Sequence, residues 1–172
     1  MSSLWARSVS KVMIQRVQTI YMLASVIAIL TMHFFWLASF AIPEATFSLN
    51  SLGLVCATKG FETDRMVWEL FIVLLLMVAL PLINIFLYKN RKLQLRVLIY
   101  TIILNVLYYG LFFWECYRLK GEVAALSQGG VVDVHYNIMM LLMPLVSIFA
   151  LIMAARGVIF DIALIKSLER LR

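Results

Sequence analysis

The sequence predicts an all-α membrane protein in which four transmembrane helices form one up-down bundle. Apolar residues make up 64% of the chain and charged residues 14%, whereas soluble domains contain about 45–50% and about 25%. Four apolar stretches approach the roughly 20 residues that a helix needs to cross a bilayer. Lys and Arg cluster in alternate loops, which gives the bundle an orientation. We therefore expect a multi-pass membrane protein, with the lipid bilayer as its surroundings.

The predicted elements form a single domain over residues 1–172. The predicted spans are residues 17–41, 67–88, 97–114 and 138–155. Residues 1–12 are amphipathic, which favours a short helix on the membrane surface, the alternative being a frayed extension. Residues 156–172 mix charged and apolar positions at helical spacing, so we expect the last helix to continue into the cytoplasm.

The stretch 88–96 between the second and third spans sets the orientation. It contains Lys89, Arg91, Lys92 and Arg96 and no acid, and so short a connection makes the two spans antiparallel. Basic residues in short loops are held on the cytoplasmic side. Eleven of the 15 Lys and Arg residues fall before the first span, in this hairpin or after the last span. Both termini are therefore predicted to be cytoplasmic.

The two outer loops predict a small β cap. Ala45, Phe47 and Leu49 alternate with polar residues, and residues 131–136 alternate similarly after a Gly129-Gly130 turn. Alternation with a period of two is typical of strands. We expect the two loops to pair outside the membrane.

Four polar side chains in the spans are candidates for packing or for a site. They are His33, Asn84, Asn105 and Ser147. An ionisable group inside a membrane is a functional candidate, but His33 has no carboxylate in any span to pair with, so a neutral histidine bonded to a neighbouring helix is the preferred interpretation. At 1.5 Å per residue, Asn84 lies level with Thr101, and Asn105 lies level with Ser147. Hydrogen bonds between helices are expected there.

Small residues predict faces where another helix could approach closely. Ala24 and Ala28 mark one face on the first span, and Ser147, Ala150, Ala154 and Gly157 mark another on the fourth. We expect these faces to meet other membrane proteins or a second copy of the chain.

The chain contains two cysteines, Cys56 and Cys116. Both are predicted to lie on the outer side of the membrane. If that compartment is a bacterial periplasm, it is oxidising, and a disulfide between them would link the first outer loop to the third helix. Two unpaired thiols are the alternative. A disulfide-forming enzyme needs a Cys-x-x-Cys pair, which this sequence lacks.

The sequence also lacks the other common motifs of catalytic and ligand-binding sites. It has no phosphate-binding glycine loop, no zinc-ligand spacing and no nucleophile beside a base. It therefore predicts no catalytic residues, no cofactor and no metal. The net charge of +6 does not predict nucleic-acid binding, because no basic patch is interleaved with stacking aromatics.

Charged residues near the outer ends of the second and third spans predict ion pairs. Arg65 and Glu69 begin the second helix, while Glu115 and Arg118 end the third. We expect Arg65 to pair with Glu115, or Glu69 with Arg118, each exposed pair contributing roughly 0–1 kcal/mol.

Three stretches carry a family resemblance: MIQRVQTIY from Met13, IFLYKNRKLQLR from Ile85, and ARGVIFDIALIKSLERLR from Ala155. Together they resemble the family called domain of unknown function 4293, found in Bacteroidota. The resemblance implies a four-helix inner-membrane protein with an amphipathic C-terminal helix and no established activity. It assigns no functional residues to this chain.

These observations predict a non-enzymatic subunit or scaffold that packs against other membrane proteins. The alternative is a small oligomeric transporter or channel, because Pro81 and Pro144 interrupt two spans and broken helices occur in transporters.

Overall fold

The structure, a computed structural model, describes residues 2–43, 45–56, 65–126 and 131–170, with side chains from residue 17 to residue 167 except residue 89. Four long helices lie in these ranges: α1 (Ser2–Phe34), α2 (Trp68–Phe86), α3 (Arg91–Leu126) and α4 (Ile138–Arg170). All four are long and apolar enough to cross a membrane. A 3₁₀ turn, Leu87–Lys89, and Asn90 join α2 to α3.

Five strands form one antiparallel sheet. They are β1 (Ala38–Ile42), β2 (Ala45–Leu49), β3 (Gly53–Cys56), β4 (Arg65–Met66) and β5 (Asp133–Tyr136), in the order β4-β3-β2-β1-β5. Every strand lies between α1 and α2 or between α3 and α4, so the sheet covers one end of the bundle, the sheet end. The 3₁₀ turn and Arg91 mark the opposite end, the basic end. Each helix packs against the next, and α1 packs against α4.

The predicted β cap is confirmed, with a different pairing. The alternation in the first loop holds, because Ala45, Phe47 and Leu49 are buried. The two predicted strands do not pair with each other, since both flank β1: Phe40 lies opposite Phe47 of β2 and opposite Val134 of β5. The predicted Gly129-Gly130 turn lies outside the described residues.

Helix α1 ends before the last residues of the first predicted span, 17–41. Helix α1 ends at Phe34, and residues 38–42 form β1 with alternate burial. A short apolar run fits a half-buried strand as well as a helix, and here the backbone leaves the helix when the Leu37 N–H donates to Leu49 O over 2.7 Å. At its other end, α1 begins at Ser2, so residues 2–12 continue the helix of the first span.

Helix α3 extends beyond the third predicted span, 97–114, at both ends. Helix α3 continues for three further turns to Leu126, and its buried residues Leu119 and Val123 join the core beneath the sheet. Phe112, Cys116, Leu119 and Val123 recur at helical spacing, which keeps them on one buried face. Helix α4 likewise runs without a break to Arg170.

The interior contains two apolar clusters at different heights. The larger joins the inner face of the sheet to the helices around Phe40, Phe47 and Phe112. The smaller lies toward the basic end around Met22, Leu98, Leu151, Ala154 and Val158. Polar side chains occupy the level between the two clusters.

Candidate functional site

A layer of buried polar residues crosses the middle of the bundle, and we call it the polar layer. Its members are Ser25 on α1, Asn84 on α2, Thr101 and Asn105 on α3, and Ser147 on α4, each with 0% exposure. Every helix contributes at least one of them. The layer therefore joins all four helices at one level of the bundle interior.

The hydrogen bonds of the polar layer differ from the two predicted between helices. The Ser25 and Ser147 hydroxyls lie 2.7 Å apart and link α1 to α4. Thr101 Oγ1 donates to Val97 O over 2.8 Å, and Asn105 Nδ2 donates to Thr101 O over 2.8 Å. The prediction that Asn105 would bond Ser147 is wrong, because the Ser147 hydroxyl is hydrogen-bonded to the facing hydroxyl of Ser25 on α1.

Asn84 is the least satisfied member of the layer. Neither its Nδ2 nor its Oδ1 has a hydrogen-bond partner among the described residues, so the predicted bond to Thr101 is not made. Asn105 Oδ1 is also without a partner there. A buried polar group left unpaired costs about 1–3 kcal/mol. Within the polar layer, these are the described side-chain atoms that could accept from or donate to a small polar ligand or water.

A second group of polar side chains lies toward the basic end. Arg91 Nη1 donates to Asp161 Oδ2 over 2.7 Å and to Gln18 Oε1 over 3.2 Å, while Gln18 Nε2 donates to Asp161 Oδ2 over 3.0 Å. We call these residues the three-helix latch, because they connect α3, α4 and α1. The charged side chains are only 19% and 12% exposed, which strengthens their attraction over that of a surface pair.

Sequence reasoning missed most of the latch. Arg91 was predicted only as a basic residue that sets topology, and Gln18 and Asp161 were not singled out as a site. Asp161 is an acid between Phe160 and Ile162 in an otherwise apolar stretch of α4. An isolated carboxylate in such surroundings requires a partner, and that signal could have indicated an Arg91–Asp161 pair.

The other basic residues of the hairpin have simpler positions. Lys92 and Arg96 are exposed on the first turns of α3. The side chain of Lys89 lies outside the described residues.

The predicted small-residue faces are largely used inside the chain. Ser147, Ala150 and Ala154 are buried, and an added Cβ at Gly157 would lie 2.8 Å from Gln18 Cγ. This face of α4 therefore receives α1 and is not free for another molecule. On α1 the two predicted small residues differ, because Ala28 is buried and Ala24 is exposed.

His33 does not lie deep in a span. Because α1 ends at Phe34, His33 falls in its last turn. Its Nδ1 lies 3.4 Å from Ile29 O of the same helix, and its ring meets Phe71 edge-on with centroids 6.1 Å apart. The predicted hydrogen bond to a neighbouring helix is replaced by this aromatic contact with α2.

Ion pairs at the sheet end differ from both predicted pairs. Arg65 does reach α3, but it pairs with Glu122 instead of Glu115. Glu122 is two turns farther along α3 than Glu115, and the prediction ended that helix before it. Glu115 is only 2% exposed and accepts from Arg118 Nη2 over 2.7 Å within α3.

The structure has no disulfide between Cys56 and Cys116, which agrees with the alternative of two thiols. Cys116 is buried on α3 one turn after Phe112, which packs against Tyr136 of β5. Cys56 lies on β3, and β2 and β1 separate β3 from β5. The nearby Cys116 and partial burial also raise the pKa of Tyr136, burial being the larger cause.

The described residues include no group of three or more His, Cys, Asp or Glu that could hold a metal ion.

Comparison with known proteins finds a family model that matches residues 14–171, and its description is Domain of unknown function (DUF4293). No curated protein and no solved structure matches the chain. The match covers nearly the whole chain and confirms the resemblance carried by its three stretches. The chain belongs to the DUF4293 family.

Proposed function

We propose that this protein is a non-catalytic subunit or scaffold of a bacterial inner membrane that packs against other membrane proteins. The observation that carries the proposal is a stripe on α1 that is exposed except at the half-buried Thr31. We call it the α1 seam: Ile20, Ala24, Ile27, Thr31 and Phe34. Its members are spaced by four and three residues alternately.

That spacing is typical of two helices that cross at a shallow angle with interlocking side chains. The small side chains of Ala24 and Thr31 alternate with Ile20, Ile27 and Phe34, so they leave recesses between large side chains. Small residues let helix backbones approach closely in a membrane. Thr31 Oγ1 also donates to Ile27 O over 2.9 Å, which leaves no free hydroxyl donor on the seam.

Photocrosslinking tests this proposal in native membranes. A benzophenone amino acid at Ala24 is expected to crosslink to a protein. The matched control carries the same group at Val106, which is 57% exposed on α3, the helix diagonally opposite α1. The proposal fails if Ala24 gives only lipid adducts and if the protein purified in mild detergent runs as a monomer with no other protein.

The proposed orientation places the basic end and both termini in the cytoplasm. Arg91, Lys92 and Arg96 at that end support it through the positive-inside rule. A fluorescent protein fused after Arg172 should fold and fluoresce, since such fusions become fluorescent on the cytoplasmic side. A dark fusion accompanied by an active periplasmic reporter at the same site would reverse the orientation.

A transporter or channel is a second candidate, favoured by the unpartnered amide of Asn84 in the polar layer. Buried polar groups at mid-membrane can line a path for small polar solutes. In vesicles, Asn84→Leu should then abolish solute flux while the protein stays folded, and His33→Ala, outside the layer, should not. Equal flux in wild type, variants and empty vesicles would remove this candidate.

A further inference from the structure

A cleft with a strongly basic wall lies at the basic end of the bundle, between the start of α3 and the last part of α4. It encloses about 770 Å³, within the range of about 300–1,000 Å³ typical of small-molecule sites. Four basic side chains line it: Arg91, Lys92, Arg96 and Lys166. We call this the basic cleft.

The charge of the basic cleft is only partly neutralised by the protein. Arg91 is bonded to Asp161 in the three-helix latch. Within the part of the chain whose side chains are described, Lys92, Arg96 and Lys166 take part in no ion pair. Three cations that have no ion-pair partner among the described side chains repel one another on a concave wall, and an anion that lies among them relieves that repulsion.

The start of α3 adds to this positive field. Asn90 and the first turn of the helix form part of the cleft wall. The Asn90 carbonyl accepts the first bond of α3 from Gln94 N over 2.9 Å. The first N–H groups of a helix have no acceptor within it and favour anions, phosphate above all.

Apolar side chains form the other part of the wall. Leu93, Ile162 and Ile165 line the cleft beside the cations, and Leu93 and Ile165 are 45% and 43% exposed. A fully soluble anion has no apolar part to bury against these side chains. An anionic phospholipid would place its phosphate among the cations and its first acyl carbons against these residues.

We propose that the basic cleft binds a phosphate-bearing anion, supplied by an anionic phospholipid headgroup or by a soluble phosphate compound. Basic pockets between membrane helices on the cytoplasmic side are suited to such headgroups. The exposed apolar residues favour the lipid over the soluble source. The latch holds α3 and α4 at a fixed separation, so the cleft exists before the ligand arrives.

Native mass spectrometry of the full chain in detergent tests the proposal with two lipids of equal acyl chains. Phosphatidylglycerol should be retained in preference to zwitterionic phosphatidylcholine. Arg96→Gln should weaken this retention about fivefold, the usual effect of one basic residue at an anionic surface. The matched control is Arg156→Gln, which removes an exposed arginine about one and a half turns before Asp161 on α4, outside the cleft lining. Its retention should match that of wild type.

A titration with inorganic phosphate distinguishes the two sources. Phosphate binding that depends on Arg96, without selective lipid retention, assigns the cleft to a soluble compound. Equal retention of both lipids without phosphate binding overturns the proposal, and so does an equal loss in Arg96→Gln and Arg156→Gln. If Arg96→Gln does not fold, Lys166→Gln takes its place, with the same outcomes.

Discussion

The side chain of Gln18 lies directly on the backbone of Gly157, so that a Cβ at position 157 would stand 2.8 Å from Gln18 Cγ and 3.0 Å from Gln18 Nε2. In this position the Gln18 amide hydrogen-bonds to both Asp161 and Arg91. The absence of a side chain at Gly157 therefore leaves the space that Gln18 occupies in the three-helix latch.

Gly157→Ala should destabilise the protein. The new methyl group must displace Gln18 and break its bonds to Asp161 and Arg91, and overpacking of this kind costs about 1–3 kcal/mol. Tryptophan fluorescence during heating in detergent measures the effect as a lower Tm. Gly110→Ala is the control, because nothing lies within 4 Å of a Cβ at that position, and alanine favours a helix by about 1 kcal/mol. A Tm for Gly157→Ala equal to that of Gly110→Ala would contradict this account.

Arg91 and Asp161 should be strongly coupled in a double-mutant cycle. We expect Arg91→Gln or Asp161→Asn alone to lower stability by about 1.5–3 kcal/mol, because each leaves a poorly exposed charge without its partner. The double variant should lose at least about 1 kcal/mol less than the sum. The comparison cycle on Arg65 and Glu122, whose side chains are 43% and 38% exposed, should give a coupling below about 1 kcal/mol. Equal coupling in both cycles would show that burial of the latch has no effect.

Ser25 and Ser147 should behave as one unit in the polar layer. Either Ser25→Ala or Ser147→Ala leaves a buried hydroxyl unpaired, which costs about 0.6 kcal/mol or somewhat more inside a membrane protein. The double variant removes both hydroxyls and should be nearly as stable as wild type. Thermal unfolding of the three variants measures this difference, and strictly additive losses would refute a direct bond between the two hydroxyls.

Asn84→Leu should stabilise the bundle. Leucine has a similar volume and removes two buried polar atoms that lack partners, a gain of about 1–3 kcal/mol. Asn105→Leu is the matched comparison and should gain less, because it also removes the bond to Thr101 O. A lower Tm for Asn84→Leu would show that its amide has a partner, such as bound water, in the folded protein.

Hydrophobic pattern and charge placement were sufficient to predict the four helices, because each apolar run is long enough to cross a bilayer. They did not predict the end of α1 or of α3. Residues 38–42 are as apolar as a helix end, and only pairing with β2 and β5 identifies them as a strand. Cys116, Leu119 and Val123 continue the buried face of α3 beneath a sheet whose extent the local pattern does not give.

The candidate site was predicted residue by residue but not as a set of partners. Asn84, Asn105 and Ser147 are apparent as polar residues in apolar spans, and all three are buried as expected. Their bonding depends on how each helix is rotated about its axis. The rotation of α1 that places Ser25 opposite Ser147 also places Ala24 on the outside of the bundle. The depth of a residue along its helix does not determine that rotation.

The position of β5 at the edge of β1 has a consequence for the order of synthesis. Strands β1 to β4 leave the ribosome before α2, whereas β5 follows only after α3. Between Ile42 and Tyr136 the ribosome adds roughly ninety residues, which takes about 5–20 s at 5–20 residues per second. During that interval the outer edge of β1 has open backbone groups that could pair with another chain. That edge of β1 is covered only when β5 pairs with it, after α3 has been made, and β5 then forms the edge of the sheet.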